Sequence, residues 1–97
     1  MNVRTVSIAL TELVEAMEWY ERKQTGLGND LLTDYDRTAA RIREYPYAVP
    51  VILNHARRFP LSRFPYAVWY AIDGDTVVVE AVVHQNRDPK YLIERMD

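Results

Sequence analysis

The residues best suited to chemistry lie near the C-terminal end of the chain. His84 ends a valine-rich segment, Arg87 follows it closely, and Tyr91 lies one helical turn after Arg87. An imidazole or a phenol can move a proton, and a guanidinium offers a planar pair of donors that matches phosphate oxygens. Together with Arg63, these residues are the candidates for catalysis on a phosphate-containing substrate, and His84 is the weakest of them.

Each candidate also has a purely structural explanation. His84 could be a half-buried imidazole hydrogen-bonded to the backbone, because most histidines carry out no chemistry. Arg87 could form a surface ion pair with Glu94, and Tyr91 could pack the last helix onto a sheet. Asp88 fits a helix cap better than a catalytic acid. The residue types alone do not decide between these explanations.

Charge is distributed unevenly along the chain. The formal net charge of −2 argues against a surface that is basic all round, as most avid RNA binders have. From Tyr45 to Ile72, however, there is no acidic residue, and this range contains Arg57, Arg58 and Arg63. A local basic face that binds a target is therefore compatible with the composition.

The apolar pattern predicts which elements position these side chains. A short strand at 3–6 precedes two amphipathic helices that are separated by the glycines at 26 and 28. The first helix should bury Leu10, Leu13, Val14, Met17 and Tyr20, and the second should bury Leu31, Leu32, Tyr35, Ala39 and Ile42. The ranges 56–61, 66–72 and 76–83 are typical of strands, and an Asp-Gly turn joins the last two. A capped Pro-initiated helix begins at Asp88.

This order predicts an α+β fold in which a helical hairpin covers one face of a small antiparallel sheet of about four strands. The short C-terminal helix leaves the other face in need of an apolar cover, and we expect another protein to supply it. The 97 residues predict a single domain over 1–97. Cysteine is absent, no apolar run reaches the length of a membrane span, and no metal-ligand or nucleotide-binding spacing occurs. We expect a cytoplasmic protein without cofactor, metal or membrane contact.

Three segments of the chain resemble a known family, the RelE/ParE toxins of bacterial toxin–antitoxin systems, a group often labelled plasmid stabilisation proteins. Trp19-Tyr20-Glu21 followed by Gly26-Leu27-Gly28 is similar to the helix-to-helix junction of that family. Arg63-Phe64-Pro65-Tyr66 resembles its arginine-led strand, and His84-Gln85-Asn86-Arg87-Asp88-Pro89 with Arg95 resembles its closing segment. The resemblance covers nearly the whole chain in the right order.

The resemblance implies a growth-inhibiting toxin that a cognate antitoxin neutralises by filling an apolar groove. RelE-like members cut messenger RNA in the ribosome without a metal, whereas ParE-like members inhibit DNA gyrase. By position, Arg63, Arg87 and Tyr91 fall where functional residues of RelE-like members sit. Arg58, Lys90 and Arg95 complete, with Arg63 and Arg87, a set that could bind the target.

The scarcity of basic residues between Val83 and Lys90, the acidic net charge and the Arg-Asp-Pro sequence favour the ParE-like branch with gyrase as target. Two alternatives stay open. One is a metal-independent, ribosome-dependent endoribonuclease, and the other is a decayed toxin that only binds its antitoxin. The resemblance also leaves open a homodimer or a toxin–antitoxin hetero-oligomer.

Overall fold

A computed structural model of the chain describes residues 1–96. The chain forms five strands and three helices, in the order β1 (Asn2–Thr5), α1 (Ser7–Lys23), α2 (Leu27–Glu44), β2 (Val51–Leu53), β3 (Ala56–Pro60), β4 (Tyr66–Asp73), β5 (Thr76–His84) and α3 (Pro89–Arg95). The strands form one sheet in the order β1-β5-β4-β3-β2. The predicted α+β class and order of elements are confirmed. No helix within residues 1–96 is long and apolar enough to cross a membrane.

The sheet differs from the expected one in two details. It is mixed, because β1 pairs with β5 in parallel while all other neighbours are antiparallel. It also has a fifth strand, β2, whose three residues were too few to give a period-2 signal. Parallel pairing of β1 with β5 joins the first and the last strand of the chain. Nothing in the sequence of either segment specifies this pairing.

The helical hairpin covers one face of the sheet. The α2 stripe is buried largely as predicted, through Leu31, Tyr35 and Ile42. On α1 the prediction is partly wrong, since Leu10 and Val14 are 51% and 43% exposed. Two alanines, Ala9 and Ala16, pack in their place around Leu13, because a small side chain lets α1 approach the sheet closely.

A close contact between the two long helices explains the glycine-containing junction. Glu21 accepts hydrogen bonds from the backbone N–H groups of Gly26 and Gly28, so its carboxylate caps the start of α2. A Cβ atom on Gly28 would lie 2.7 Å from the carbonyl oxygen of Met17. Gly26 adopts a left-handed conformation with a φ of 95°. The junction therefore requires both glycines and the glutamate.

The expectation that another protein must cover the opposite face of the sheet is wrong for much of that face. There α3 packs against the sheet and forms a second apolar cluster of Ala56, Trp69, Ala81, Val83, Leu92 and Met96. Asn54 donates a hydrogen bond to the carbonyl oxygen of Met96 over 3.0 Å and so fixes the far end of α3.

The buried phenol of Tyr35 gives the fold a dependence on alkaline pH. Burial raises the pKa of Tyr35 above 10.0, although a hydrogen bond with Thr5 partly opposes this. The folded-state pKa lies above the unfolded value. The contribution of Tyr35 to the free energy of unfolding is therefore fully present below about pH 10 and is lost as the pH rises through the folded pKa. We expect urea midpoints to decrease above pH 10, and to decrease less steeply in Tyr35→Phe. The exposed Tyr45 supplies the control variant, Tyr45→Phe, which should keep the slope of the parent, and equal slopes in all three proteins would contradict the prediction.

Candidate functional site

The open edge of β5 is where the candidate residues gather. Pairing with β1 ends at Val79, so the last residues of β5 have no partner strand on that side within residues 1–96. A groove of about 410 Å³ lies between this edge and α1. Its lining residues come from α1, from the strand β4 and from the end of β5, and include Glu15, Trp19, Tyr20, Tyr66, His84 and Arg87.

Glu12 closes the part of this edge nearest to α3. Its Oε1 accepts a hydrogen bond from the backbone N–H of Val82 at 3.0 Å, in the place where a further strand would bond. Its Oε2 accepts from the hydroxyl of Tyr91 at 2.8 Å and from Nη1 of Arg95 at 2.7 Å. We call Glu12, Tyr91 and Arg95 the Glu12 cluster. This cluster ties α1, β5 and α3 together through one carboxylate.

The side chain of Arg95 is held by hydrogen bonds within the Glu12 cluster. Its side chain is 13% exposed and that of Glu12 is 14% exposed. Burial by itself lowers the pKa of Arg95, but hydrogen bonding and charge attraction from Glu12, with a contribution from Tyr91, outweigh it and raise the pKa above the ordinary value of an arginine. Arg95 also donates to the carbonyl oxygen of Glu80. Its charge is neutralised within the protein, which leaves it a weak candidate for target binding.

The phenol of Tyr91 is also fully used. It donates to Glu12 and accepts from Nη1 of Arg95 at 2.7 Å. The guanidinium of Arg87 lies over its ring, 3.7 Å from the ring centre, in a short cation–π contact. The arrangement suits Tyr91 as a platform that orients Arg87 better than as a proton donor.

His84 and Arg87 lie at the mouth of the groove. The Nδ1 atom of His84 accepts a hydrogen bond from the backbone N–H of Asn86 at 3.0 Å, and its ring meets the edge of Tyr66 with centres 5.3 Å apart. Arg87 is exposed, and no salt bridge involves it within the described chain. The suggested ion pair of Arg87 with Glu94 is therefore not formed.

Arg63 reaches the same end of the sheet from another direction. It lies in the bend before β4, whose first residue, Tyr66, pairs with His84 at the end of β5. Its guanidinium is exposed and contacts the ring of Phe64 at 6.0 Å. Arg63 and Arg87 thus flank one end of the sheet as two free cations.

The remaining candidates are more scattered. Arg58 lies in the middle of β3, where it pairs with Trp69 on β4, and it is half-buried. Lys90 is exposed in the first turn of α3, where its backbone N–H donates to the Asp88 cap at 2.9 Å. The predicted cap of α3 is confirmed by this bond.

Asp34 holds the bend that carries Arg63, and this role was not predicted from the sequence. It is only 4% exposed, and its carboxylate accepts hydrogen bonds from the backbone N–H groups of Ser62, Arg63 and Phe64 at 3.1, 2.8 and 3.2 Å. This carboxylate fixes the bend that presents Arg63. The signal was available, because Asp34 falls at helical spacing within the buried stripe of Leu31 and Tyr35. Glu12 likewise falls within the stripe of the two buried alanines of α1.

Comparison with known proteins supports the fold. No protein-family model matches the chain, and a search of the curated proteins finds no match. Among solved structures, the chain is similar to one described as the chromosomal ParDE TA system from P. aeruginosa, with a TM-score of 0.77 and 12% sequence identity over 87% of this chain and 95% of that chain. The expected RelE/ParE-like fold is confirmed by this likeness. At 12% identity the likeness concerns the fold alone.

Proposed function

We propose that this protein is the toxin of a toxin–antitoxin pair, inhibiting growth until a cognate antitoxin binds it. The observation that carries the proposal is the joint occurrence of a ParDE-like fold over 87% of the chain and three motifs of RelE/ParE toxins in the expected order. The groove beside the open edge of β5 offers the antitoxin both a backbone edge and apolar walls.

The state of Tyr91 and Arg95 favours a ParE-like action on DNA gyrase over RNA cleavage. A nuclease without a metal needs side chains free to move protons and to stabilise charge on the phosphate. Both side chains are bound to Glu12. Among the candidate residues the exposed cations are then Arg63, Arg87 and Lys90, which are few for a protein that must hold ribosomal RNA. A protein target requires fewer phosphate contacts.

Induced expression without antitoxin tests the proposal. We expect the parent chain to stop growth, and Arg63→Ala combined with Arg87→Ala to restore most of it, because the two exposed guanidiniums flank the site. Arg4→Ala combined with Arg22→Ala removes the same charge from exposed positions on β1 and α1, and this control should stay toxic. Colony counts and immunoblots of protein level provide the measurement. Harmless expression of a folded parent chain would instead indicate a decayed toxin that only binds its antitoxin.

Purified components then identify the target. A ParE-like toxin should block supercoiling by gyrase at stoichiometric excess, and gyrase that is unaffected would contradict this target. The contact of Arg87 with Tyr91, with His84 nearby, keeps the endoribonuclease as a second candidate. Translating ribosomes that release cleaved messenger with the parent chain, and intact messenger with Arg87→Ala, would favour that candidate.

A further inference from the structure

The free edge of β2, opposite to the β5 edge, carries an apolar surface that none of the proposed activities uses. Four apolar side chains of β2 and of the segment that leads into it are largely exposed, namely Tyr45 (61%), Tyr47 (65%), Val51 (48%) and Ile52 (56%). We call these four residues the edge patch. From Tyr45 to Ala56 the chain has no Asp, Glu, Lys or Arg, although 27% of all its residues are charged. Depletion of charge and enrichment in tyrosine are typical of protein interfaces.

The edge patch is held in place before any partner arrives. Arg57 donates to the carbonyl oxygen of Val49 and lies 5.2 Å from the ring centre of Tyr47. The hydroxyl of Tyr70, a core residue of β4, donates to the carbonyl oxygen of Pro46 at 2.8 Å. The loop between α2 and β2 is thus fixed to the sheet, so that binding there costs little ordering entropy.

The backbone beside the patch is a free strand edge without charged side chains. Natural proteins protect such edges with lysines, inward-pointing charges, covering loops, bulges or very short strands. β2 has only the last two, since it is three residues long and shifts register against β3, while its sequence is Val-Ile-Leu and no strand pairs with its outer side within residues 1–96. Exposed donors and acceptors together with apolar side chains are what an added strand recognises.

We propose that the partner of this edge is a second copy of the chain, paired through β2 about a two-fold axis near Ile52. A neutral apolar edge meets its own copy without like-charge repulsion, and antiparallel pairing about this axis places Ile52 against Ile52 and Val51 against Leu53. The two sheets then continue into one. Since a fully exposed tyrosine presents about 200 Å², the edge patch offers on the order of 400 Å² per copy, or about 800 Å² in total, which is the size of a weak, transient interface.

An interface of this size predicts a weak dimer that forms only at high protein concentration. Sedimentation of the purified chain between about 1 and 300 µM should show the mass rising from monomer to dimer. In Ile52→Lys the dissociation constant should rise at least tenfold, because a lysine on the edge opposes pairing. Leu10→Lys changes a similarly exposed apolar residue on α1 and should dimerise as the parent does.

The absence of cysteine allows a second, direct test. On mild oxidation, Ile52→Cys should form a disulfide-linked dimer much faster than Leu10→Cys, because only residue 52 lies near its own copy on the two-fold axis. A parent chain that stays monomeric at 300 µM, an unchanged dimer in Ile52→Lys or equal cross-linking of the two cysteine variants would overturn the proposal. It would also be overturned if the β2 edge gained hydrogen-exchange protection only when a different protein binds. The dimer does not depend on growth inhibition, so the two proposals fail independently.

Discussion

Glu12→Ala is expected to lose about 3–5 kcal/mol of the free energy of unfolding, a large part of the 5–15 kcal/mol typical of a domain. The substitution removes the Glu12 carboxylate, which is the only negatively charged hydrogen-bond acceptor in the cluster. Arg95 then lies largely buried without its counter-ion, and the Val82 N–H loses its acceptor. An unpaired buried charge costs more than the net gain from forming the pair, which is why the loss is large.

Urea denaturation measures this loss, and two variants make it specific. Glu12→Gln keeps an acceptor oxygen but not the charge and should lose about half as much. Glu15→Ala changes an exposed glutamate one turn further along α1 and should stay within about 0.5 kcal/mol of the parent. In an Arg95→Met background, Glu12→Ala should cost much less, because no buried cation remains. Equal costs in both backgrounds would show that the cluster does not act as a unit.

The same variant should loosen α3 selectively. Glu12 is the link between α1 and the Tyr91 and Arg95 side chains of α3. Amide exchange in α3 should therefore accelerate in Glu12→Ala by more than the global loss of stability explains. Arg87 would lose its ordered platform when Tyr91 moves, so growth inhibition should weaken as well. Unchanged exchange in α3 would mean that its apolar contacts alone hold it.

Asp34→Ala is expected to destabilise the fold by a similar amount, about 3–5 kcal/mol. Three backbone N–H groups, those of Ser62, Arg63 and Phe64, share this carboxylate in a buried setting. Hydrogen bonds to a charged acceptor contribute more than neutral ones, and the alanine removes the acceptor of all three donors, of which the Phe64 N–H is buried from solvent.

Thermal and urea unfolding compare this variant with two others. Asp34→Asn keeps one acceptor oxygen and should lose about 1–2 kcal/mol. Asp36→Ala alters an exposed carboxylate two positions later on α2 and is the matched control, expected within about 0.5 kcal/mol of the parent. If Asp34→Ala were no less stable than Asp36→Ala, the bend before β4 would have to be held by its other contacts.

Expression of Asp34→Asn connects this support to function. The bend that Asp34 fixes presents Arg63, one of the two free cations at the end of the sheet. A folded Asp34→Asn protein with reduced toxicity would therefore assign part of the activity to the placement of Arg63, without any change to the guanidinium itself. Full toxicity of a folded variant would show that the bend need not be rigid.

Local patterns in the sequence determined much of the fold. The helical stripe of α2, the Asp73-Gly74 turn between β4 and β5 and the Asp88 cap of α3 each depend on neighbouring residues, so a window of a few positions contains the whole signal. The nearly continuous apolar runs at 66–72 and 76–83 also indicated two strands of the sheet. These features are specified by period and turn chemistry, which do not require knowledge of distant partners.

The tertiary structure alone decided which polar side chains support the site. Glu12 meets Arg95 across 83 positions, and Asp34 meets the bend before β4 across 28 to 30 positions. Their carboxylates resemble ordinary surface charges until the packed elements bring donors to them. The same holds for α3: packing of this helix onto a sheet was one explanation of Tyr91, but only the structure shows that α3 covers much of the second face. There is a physical reason for this. Every buried polar group needs a hydrogen-bond partner, and that need follows from the residue itself, but the packing of the whole chain decides which residue becomes the partner.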